Sequence, residues 1–146
     1  MFDKNKSLWC GWAVHDASKL SPPPPASPPA SPSLPCFYFT GDTGWSPLLF
    51  AEIAATLCCV TLAALPIGAY DPRWMMAPQH TDPNEAVAIH TALRCRQFIT
   101  RARVHTRVEF VTPRLRCRQS FGVHWGTWPL TDEAMDEPVT VLARKV

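Results

Sequence analysis

The stretch Phe121-Gly-Val-His-Trp-Gly-Thr-Trp-Pro-Leu130 indicates a hydrophobic strand that ends in a histidine and a Gly-Thr turn. The upstream run Phe37-Tyr-Phe-Thr-Gly-Asp-Thr-Gly44 has the same form, with an aspartate at the tip of its turn. A histidine and a carboxylate presented at strand ends are two of the ligand types that a hydrolytic zinc site uses. His124 and Asp42 therefore predict two corners of such a site.

The proline content argues against one uniform domain. The 146 residues are enough for a single hydrophobic core, but 16 of them are prolines. Eight of these prolines lie between Pro22 and Pro35. The composition of segment 15–36 predicts a disordered or polyproline II insert. A linker without a role of its own is favoured over a ligand for SH3 or WW domains.

Positive charge is concentrated in one segment of a chain whose net charge is only +2. Eight of the 14 basic residues fall between Arg94 and Arg118, and the pentapeptide Leu93-Arg-Cys-Arg-Gln97 recurs as Leu115-Arg-Cys-Arg-Gln119. The repeat indicates a duplication or an unremoved insert over 94–119. A basic interaction module is the alternative function for this segment, although no nucleic-acid-binding motif occurs in it and no nucleic-acid partner is expected.

The cysteines and the N-terminus favour a cytoplasmic protein. The six cysteines show no CxxC spacing, so we expect thiols in a reducing compartment. Residues Met1 to Ser7 are charged and no apolar core follows them, so no secretory leader is expected.

Hydrophobic patterning and capping residues predict alternating strands and helices. Strands are predicted over Ser7–Val14, Cys36–Thr40 and Leu62–Ile67. Ser46-Pro47 predicts a helix start, because serine caps a helix and proline suits its first position. After that helix start, the uncharged run Ile53–Ala69 leaves a single membrane span open as an alternative.

The C-terminal half has two further helix signals. Asp82-Pro83-Asn84-Glu85 predicts a capping box at the start of a helix that runs to about Leu93. Thr131–Met135 predicts a short helical turn that Pro138 ends.

Four motifs occur in this chain in the order that one protein family shows. The motifs are Gly41-Asp-Thr-Gly44, Leu65-Pro-Ile-Gly-Ala-Tyr-Asp-Pro-Arg-Trp74, Gln79-His-Thr-Asp-Pro-Asn-Glu-Ala86 and His124-Trp-Gly-Thr127. They are similar to the C-terminal half of the N-acyl-phosphatidylethanolamine-hydrolysing phospholipase D family, within the metallo-β-lactamase superfamily. The resemblance covers 37–91 and 120–142, with a weaker match over 5–12. It implies an α/β fold that is the second half of an αββα sandwich, with one apolar sheet face uncovered. An isolated chain of this kind is expected to be marginally stable or prone to aggregate.

The resemblance also assigns roles to individual residues of a two-zinc hydrolase. Asp42 would be the carboxylate that bridges the metals, and His124 would bind one zinc ion. His80 would be a catalytic residue that assists the substrate or the leaving group. Tyr70 and Arg73 would be substrate-binding wall residues, with the arginine meeting the phosphate.

The implied reaction is hydrolysis of N-acylphosphatidylethanolamine to an N-acylethanolamine and phosphatidic acid, with a phospholipid or membrane surface as partner. In the family the remaining ligands come from an HxHxDH motif, which this sequence lacks. We therefore expect a truncated and inactive form, cytoplasmic and peripheral to membranes. Its expected division is 1–14, 15–36, 37–93, 94–119 and 120–146, in which 15–36 and 94–119 are hypothesised to be retained non-coding sequence or errors of the gene model.

Overall fold

The computed structural model describes residues 10–15, 36–57, 60–95, 97–99 and 119–145. In chain order the elements are β1 (Trp12–His15), β2 (Cys36–Phe39), α1 (Pro47–Leu57), β3 (Leu62–Pro66), α2 (Arg73–Met76), α3 (Pro83–Ala92), β4 (Gln97–Ile99), β5 (Gln119–Val123) and α4 (Glu137–Ala143). The predicted α/β class is confirmed. Most of the two predicted inserts, 16–35 and 100–118, lies outside the described residues.

The described strands form one mixed sheet in the order β1-β2-β3-β5-β4. β1 runs antiparallel to β2, and the other pairings are parallel. β3 lies at the centre and its last four residues are buried, as its continuous apolar sequence predicts for an inner parallel strand. Because β2, β3 and β5 are parallel, their C-terminal ends meet at one edge of the sheet.

Two of the three predicted helix starts are confirmed by their caps. α1 begins at Pro47, and the hydroxyl of Ser46 accepts a hydrogen bond from the backbone N–H of Leu49 at 3.4 Å. At α3, Asp82 accepts from the backbone N–H of Glu85 at 2.8 Å, and the Glu85 carboxylate accepts from the backbone N–H of Asp82 at 3.1 Å. This reciprocal capping box satisfies donors that a helix N-terminus otherwise leaves unpaired.

The prediction for the last helix was wrong. Residues 131–133 form bends, and α4 begins later, at Glu137. Pro138 lies in the first turn of α4 and does not end a helix. A first turn does not use the N–H that proline lacks, so the residue suits a helix start better than a helix end.

The uncharged run 53–69 is divided between two elements. α1 ends at Leu57, and β3 begins at Leu62. In the described part of the chain, no helix is both long and apolar enough to cross a bilayer. The predicted sequence of a helix followed by a buried strand is confirmed.

The hydrophobic core fills one face of the sheet. Its largest fully buried side chains include Phe50 of α1, Leu65 of β3, Ile89 of α3 and Leu142 of α4. These three helices therefore cover the same face of the central strand.

The opposite sheet face exposes apolar side chains near its β1 edge. Trp12 pairs with Phe39 and Val14 pairs with Phe37 across the β1–β2 ladder, so all four point to one face. Their exposed fractions are 63% for Trp12, 57% for Val14, 36% for Phe37 and 38% for Phe39. Within the described residues, this part of the predicted apolar face is uncovered.

The two copies of the repeated pentapeptide lead into neighbouring strands. Gln97 ends the first copy and begins β4, and Gln119 ends the second copy and begins β5. The two glutamines are register partners in the parallel β4–β5 ladder. The three residues of the predicted insert that form β4 thus extend the sheet beyond β5.

Candidate metal centre

Asp42 and His124 lie at the C-terminal edge of the sheet, just after β2 and β5. Ligands bind at this edge in open parallel sheets. Gly41 turns the chain between β2 and Asp42 with φ of 66°, and a Cβ at this position would lie 2.7 Å from the carbonyl oxygen of Cys10. His124 itself has φ of 60°. A left-handed backbone is uncommon outside glycine and is concentrated at functional sites.

His80 reaches the same edge from the segment between α2 and α3. The fully buried hydroxyl of Thr81 donates to the carbonyl oxygen of Pro66 at 2.8 Å, which fixes this segment to the end of β3. Arg73 donates from Nη1 to the carbonyl oxygen of His80 itself at 2.9 Å. These two bonds hold the backbone on the C-terminal side of His80, and on the N-terminal side the N–H of His80 donates to the carbonyl oxygen of Met76 at 2.8 Å.

The three side chains form one compact cluster of metal-binding donors. One ligand atom from each of Asp42, His80 and His124 lies within 4.8 Å of the other two. Nε2 of His124 is 3.5 Å from Oδ1 of Asp42. The ring centroids of His80 and His124 are 4.7 Å apart, with the ring planes tilted by 34°.

The surroundings of His80 favour its neutral form. Burial lowers the pKa of His80 below the usual 6.5, and the neighbouring His124 lowers it further. Asp42 and Glu133 act in the opposite direction, but the net shift is downward. A neutral imidazole keeps a lone pair, which is the form that binds a metal ion.

These residues fit a zinc ion. Nδ1 of His80 is buried and has no hydrogen-bond partner among the described residues. Buried polar atoms are rarely left unsatisfied, and a metal ion held together with Asp42 and His124 would satisfy this nitrogen. Two imidazoles and one carboxylate also form a three-ligand set of the kind that catalytic zinc sites use.

The cluster opens into a pocket of about 330 Å³. Further lining comes from the loop after β3, from α2 and from the segment that precedes α4. The lining residues are Asp42, Ala69, Asp71, Pro72, Met75, Met76, His80, His124, Leu130, Thr131 and Asp132.

Comparison with known proteins identifies the family. A sequence profile described as the Beta-lactamase superfamily domain matches residues 1–101.

The chain belongs to the metallo-β-lactamase superfamily.

Two relatives specify the branch. The chain is 36% identical to N-acyl-phosphatidylethanolamine-hydrolyzing phospholipase D 1 of Caenorhabditis elegans over 93% of its own length and 28% of the relative's. It is 29% identical to the mitochondrial N-acyl-phosphatidylethanolamine-hydrolyzing phospholipase D of Saccharomyces cerevisiae over 94% of its own length and 22% of the relative's. The predicted resemblance to the N-acyl-phosphatidylethanolamine-hydrolysing phospholipase D family is confirmed. The chain spans about a quarter of the length of these two relatives.

Tyr70 and Arg73 were predicted to be substrate-binding wall residues, but neither lines the pocket. Tyr70 is buried, and its hydroxyl donates to Glu137 at 2.7 Å. Arg73 donates from Nη2 to both carboxylate oxygens of Glu85, at 2.8 and 2.7 Å. Arg73, the first residue of α2, thus connects α2 to the start of α3 and supports His80 through its backbone.

The pocket includes acidic residues that the sequence analysis did not single out. Asp71 and Asp132 line its wall, and the backbone N–H of Asp132 donates to the carbonyl oxygen of Asp71 at 3.2 Å. Asp71 directly follows Tyr70, which was predicted to be a wall residue of the site. Asp132 was interpreted as part of a helix start. Its position before Pro138 was the available signal, because proline in a first turn places residues 131–136 in the preceding loop.

Proposed function

We propose that this chain carries one side of a zinc centre of the kind that hydrolyses the phosphodiester bond of N-acylphosphatidylethanolamine. The observation that supports the proposal is the convergence of Asp42, His80 and His124 within 4.8 Å at the carboxyl ends of parallel strands. The names of the two relatives support the choice of a phospholipid substrate.

In the proposed site, Asp42, His80 and His124 would hold the zinc ion. Bound there, zinc would supply positive charge that polarises a phosphoryl oxygen and stabilises the charge developing on it. Neutral His80 would have a second role, because the ring nitrogen that does not hold the zinc ion carries the N–H and can donate to a leaving-group oxygen. His124 has a left-handed backbone, and its Nε2 lies 3.5 Å from Oδ1 of Asp42.

The remaining lining suits a lipid head group next to an apolar chain. Met75, Met76 and Leu130 supply apolar wall, while Asp71 and Asp132 supply carboxylates. Among the described lining residues there is no lysine or arginine, so the carboxylates alone would repel an anionic phosphodiester. Substrate binding would therefore require that the metal is bound first. The protein would act from the cytoplasm at a membrane surface.

We further propose that the chain by itself binds at most one zinc ion and turns over little or no substrate. Three donors match the ligand number of one catalytic zinc ion and fall short of two. The sequence has no HxHxDH motif, from which the family resemblance draws the other ligands.

Zinc analysis and a product assay test this proposal. The purified chain is loaded with zinc, dialysed, and analysed for metal. It is then incubated with vesicles that contain N-acylphosphatidylethanolamine, and N-acylethanolamine and phosphatidic acid are measured by mass spectrometry. We expect no more than one zinc ion per chain, product near background, and loss of zinc in Asp42→Asn. Two tightly held zinc ions with multiple turnover would refute the one-ion, inactive form, and undiminished zinc in Asp42→Asn would refute the site.

A further inference from the structure

Glu133 joins two loops that the sheet does not connect directly. Its Oε1 accepts a hydrogen bond from the backbone N–H of Ala69 at 2.6 Å, and its Oε2 accepts from the backbone N–H of Asp71 at 3.1 Å. Ala69 and Asp71 belong to the loop after β3, whereas Glu133 follows Thr131 and Asp132 of the pocket wall. Both oxygens of one carboxylate are thus used to fix backbone in place.

The loop that Glu133 holds is packed directly against the backbone of His124. The N–H of Ile67 donates to the carbonyl oxygen of Val123 at 3.0 Å. A Cβ at Gly68 would collide with the carbonyl oxygen of His124, so these two backbones approach as closely as glycine allows. Ala69 then takes φ of 60°, a strained conformation for alanine.

The environment of Glu133 favours the charged form that this role needs. Burial acts to raise the pKa of its carboxyl, but hydrogen bonds from Thr131 and from the backbone N–H groups of Asp71 and Ala69 outweigh burial. The net pKa is lower than the usual 4.5. Hydrogen bonds to a charged carboxylate are stronger than those between neutral groups.

We propose that Glu133 is a positioning residue of the metal centre. By closing residues 124–133 back onto residues 69–71, its two carboxylate oxygens fix the backbone of His124 and the pocket wall at Asp71. Glu133 is not one of the metal-binding donors. It acts through the backbone that carries His124. The inference rests on the proposed metal centre for its meaning, but the backbone coupling can be tested in the metal-free chain.

Glu133→Gln tests the coupling, because the amide keeps one acceptor oxygen and replaces the other with a donor. Glu52→Gln, on an exposed position of α1, is the matched control. In ¹H–¹⁵N spectra of the metal-free chain, we expect Glu133→Gln to shift the amide signals of His124 and Trp125 as well as those of Ala69 and Asp71. Shifts confined to residues 69–71 and 133 would overturn the proposal. In the unmodified chain, the amides of Ala69 and Asp71 should be protected from hydrogen exchange, and fast exchange would also overturn it.

Cobalt(II) provides a second readout that does not depend on activity. Partners that orient metal ligands typically contribute 10–100-fold to affinity, so we expect Glu133→Gln to weaken Co²⁺ binding by roughly 10-fold and to alter its visible absorption. Glu52→Gln should leave both unchanged. Equal Co²⁺ affinity in Glu133→Gln and the unmodified chain would overturn the positioning role, even if Asp42→Asn abolished binding and so upheld the site.

Discussion

The rings of His80 and His124 meet at the C-terminal edge of the sheet with centroids 4.7 Å apart and planes tilted by 34°, although the residues lie on different loops. Two imidazoles in contact repel each other when both are protonated. The lowered pKa of His80 relieves that repulsion by keeping one ring neutral. Asp42 lies 3.5 Å from His124, so the two histidines and the aspartate together are arranged as a set of metal donors.

The first prediction follows from this arrangement. Asp42→Asn, His80→Gln and His124→Gln should each weaken zinc binding by at least roughly 10-fold, because each removes one of only three donors. Isothermal titration with zinc measures the change. His15→Gln is the control, since His15 lies on β1 outside the cluster. Unchanged affinity in His80→Gln would assign His80 to the pocket wall alone.

The second prediction concerns Arg73, which donates to the carbonyl oxygen of His80 and to both carboxylate oxygens of Glu85. Arg73→Gln should lower the free energy of unfolding by about 1.5–3 kcal/mol, the usual range for hydrogen bonds to charged groups. It should also weaken zinc binding, because the backbone of His80 is released. Arg73→Lys should recover only part of either effect, since lysine cannot donate in a bidentate manner.

Urea unfolding and zinc titration measure the two effects of the arginine substitutions. Arg144→Gln, on an exposed residue after α4, is the control for loss of a positive charge. If Arg73→Gln left stability and zinc affinity unchanged while impairing phosphodiester binding, the predicted substrate-binding role of Arg73 would be favoured over the structural one.

The third prediction compares Gly68, in the loop after β3, with Gly122 of the neighbouring strand β5. A Cβ at Gly68 would collide with the backbone carbonyl of His124, whereas a Cβ at Gly122 would meet the tip of the Ile67 side chain. Backbone cannot move aside as a flexible side chain can. Gly68→Ala should therefore destabilise the chain by about 1–3 kcal/mol and weaken zinc binding, while Gly122→Ala should have the smaller effect on both. Thermal unfolding and metal titration would reveal a reversed order, which would contradict this account.

Local sequence signals predicted most of the described elements because those elements depend on local physics. The caps at Ser46 and Asp82 need only residues three or four positions apart, and the buried strand at Leu62–Pro66 follows from its apolar run. The prediction failed at 131–138, where Pro138 was interpreted as the end of a helix although proline suits the first turn that it occupies in α4.

The candidate site could be predicted only in part. Asp42 and His124 were found because they end strands, and His80 was found through the family resemblance. Its contact with His124 depends on Thr81 and Arg73, which bond to positions 15 and seven residues away. Glu133 gave no sequence signal, since its bonds to Ala69 and Asp71 span more than 60 residues.

The fourth prediction concerns the exposed sheet face. Phe37 and Phe39 are each more than one-third exposed beside Trp12 and Val14, so the face should promote self-association. Replacing Phe37 and Phe39 together with threonine, which keeps β propensity, should reduce it. Leu48→Gln, at a more exposed leucine of α1, should have little effect. Light scattering after size-exclusion chromatography measures association, and a monomeric unmodified chain with a cooperative thermal transition would contradict the prediction.

The last prediction is a loss of stability at acid pH in two ranges. Burial lowers the pKa of His90 and of His80 below 6.5 in the folded chain. The unfolded chain therefore takes up protons near pH 6.5 while the folded chain does not. The stability that these neutral rings contribute is present above pH 6.5 and is lost as pH falls through their folded pKa values. Glu133 adds a second loss at lower pH: its pKa lies below 4.5, so its contribution is present above pH 4.5 and disappears as pH falls through its folded value.

Urea unfolding of the metal-free chain at a series of pH values from 7.5 to below 4.5 separates the two ranges. His90→Gln keeps a group that can hydrogen-bond to Ser120 but does not titrate, so it should reduce the loss of stability just below pH 6.5 to the part that His80 causes and leave the lower range unchanged. Glu133→Gln should do the reverse. Stability that rises as pH falls from 7 to 5 would contradict the prediction, because it would mean that the folded chain binds protons more readily than the unfolded chain does.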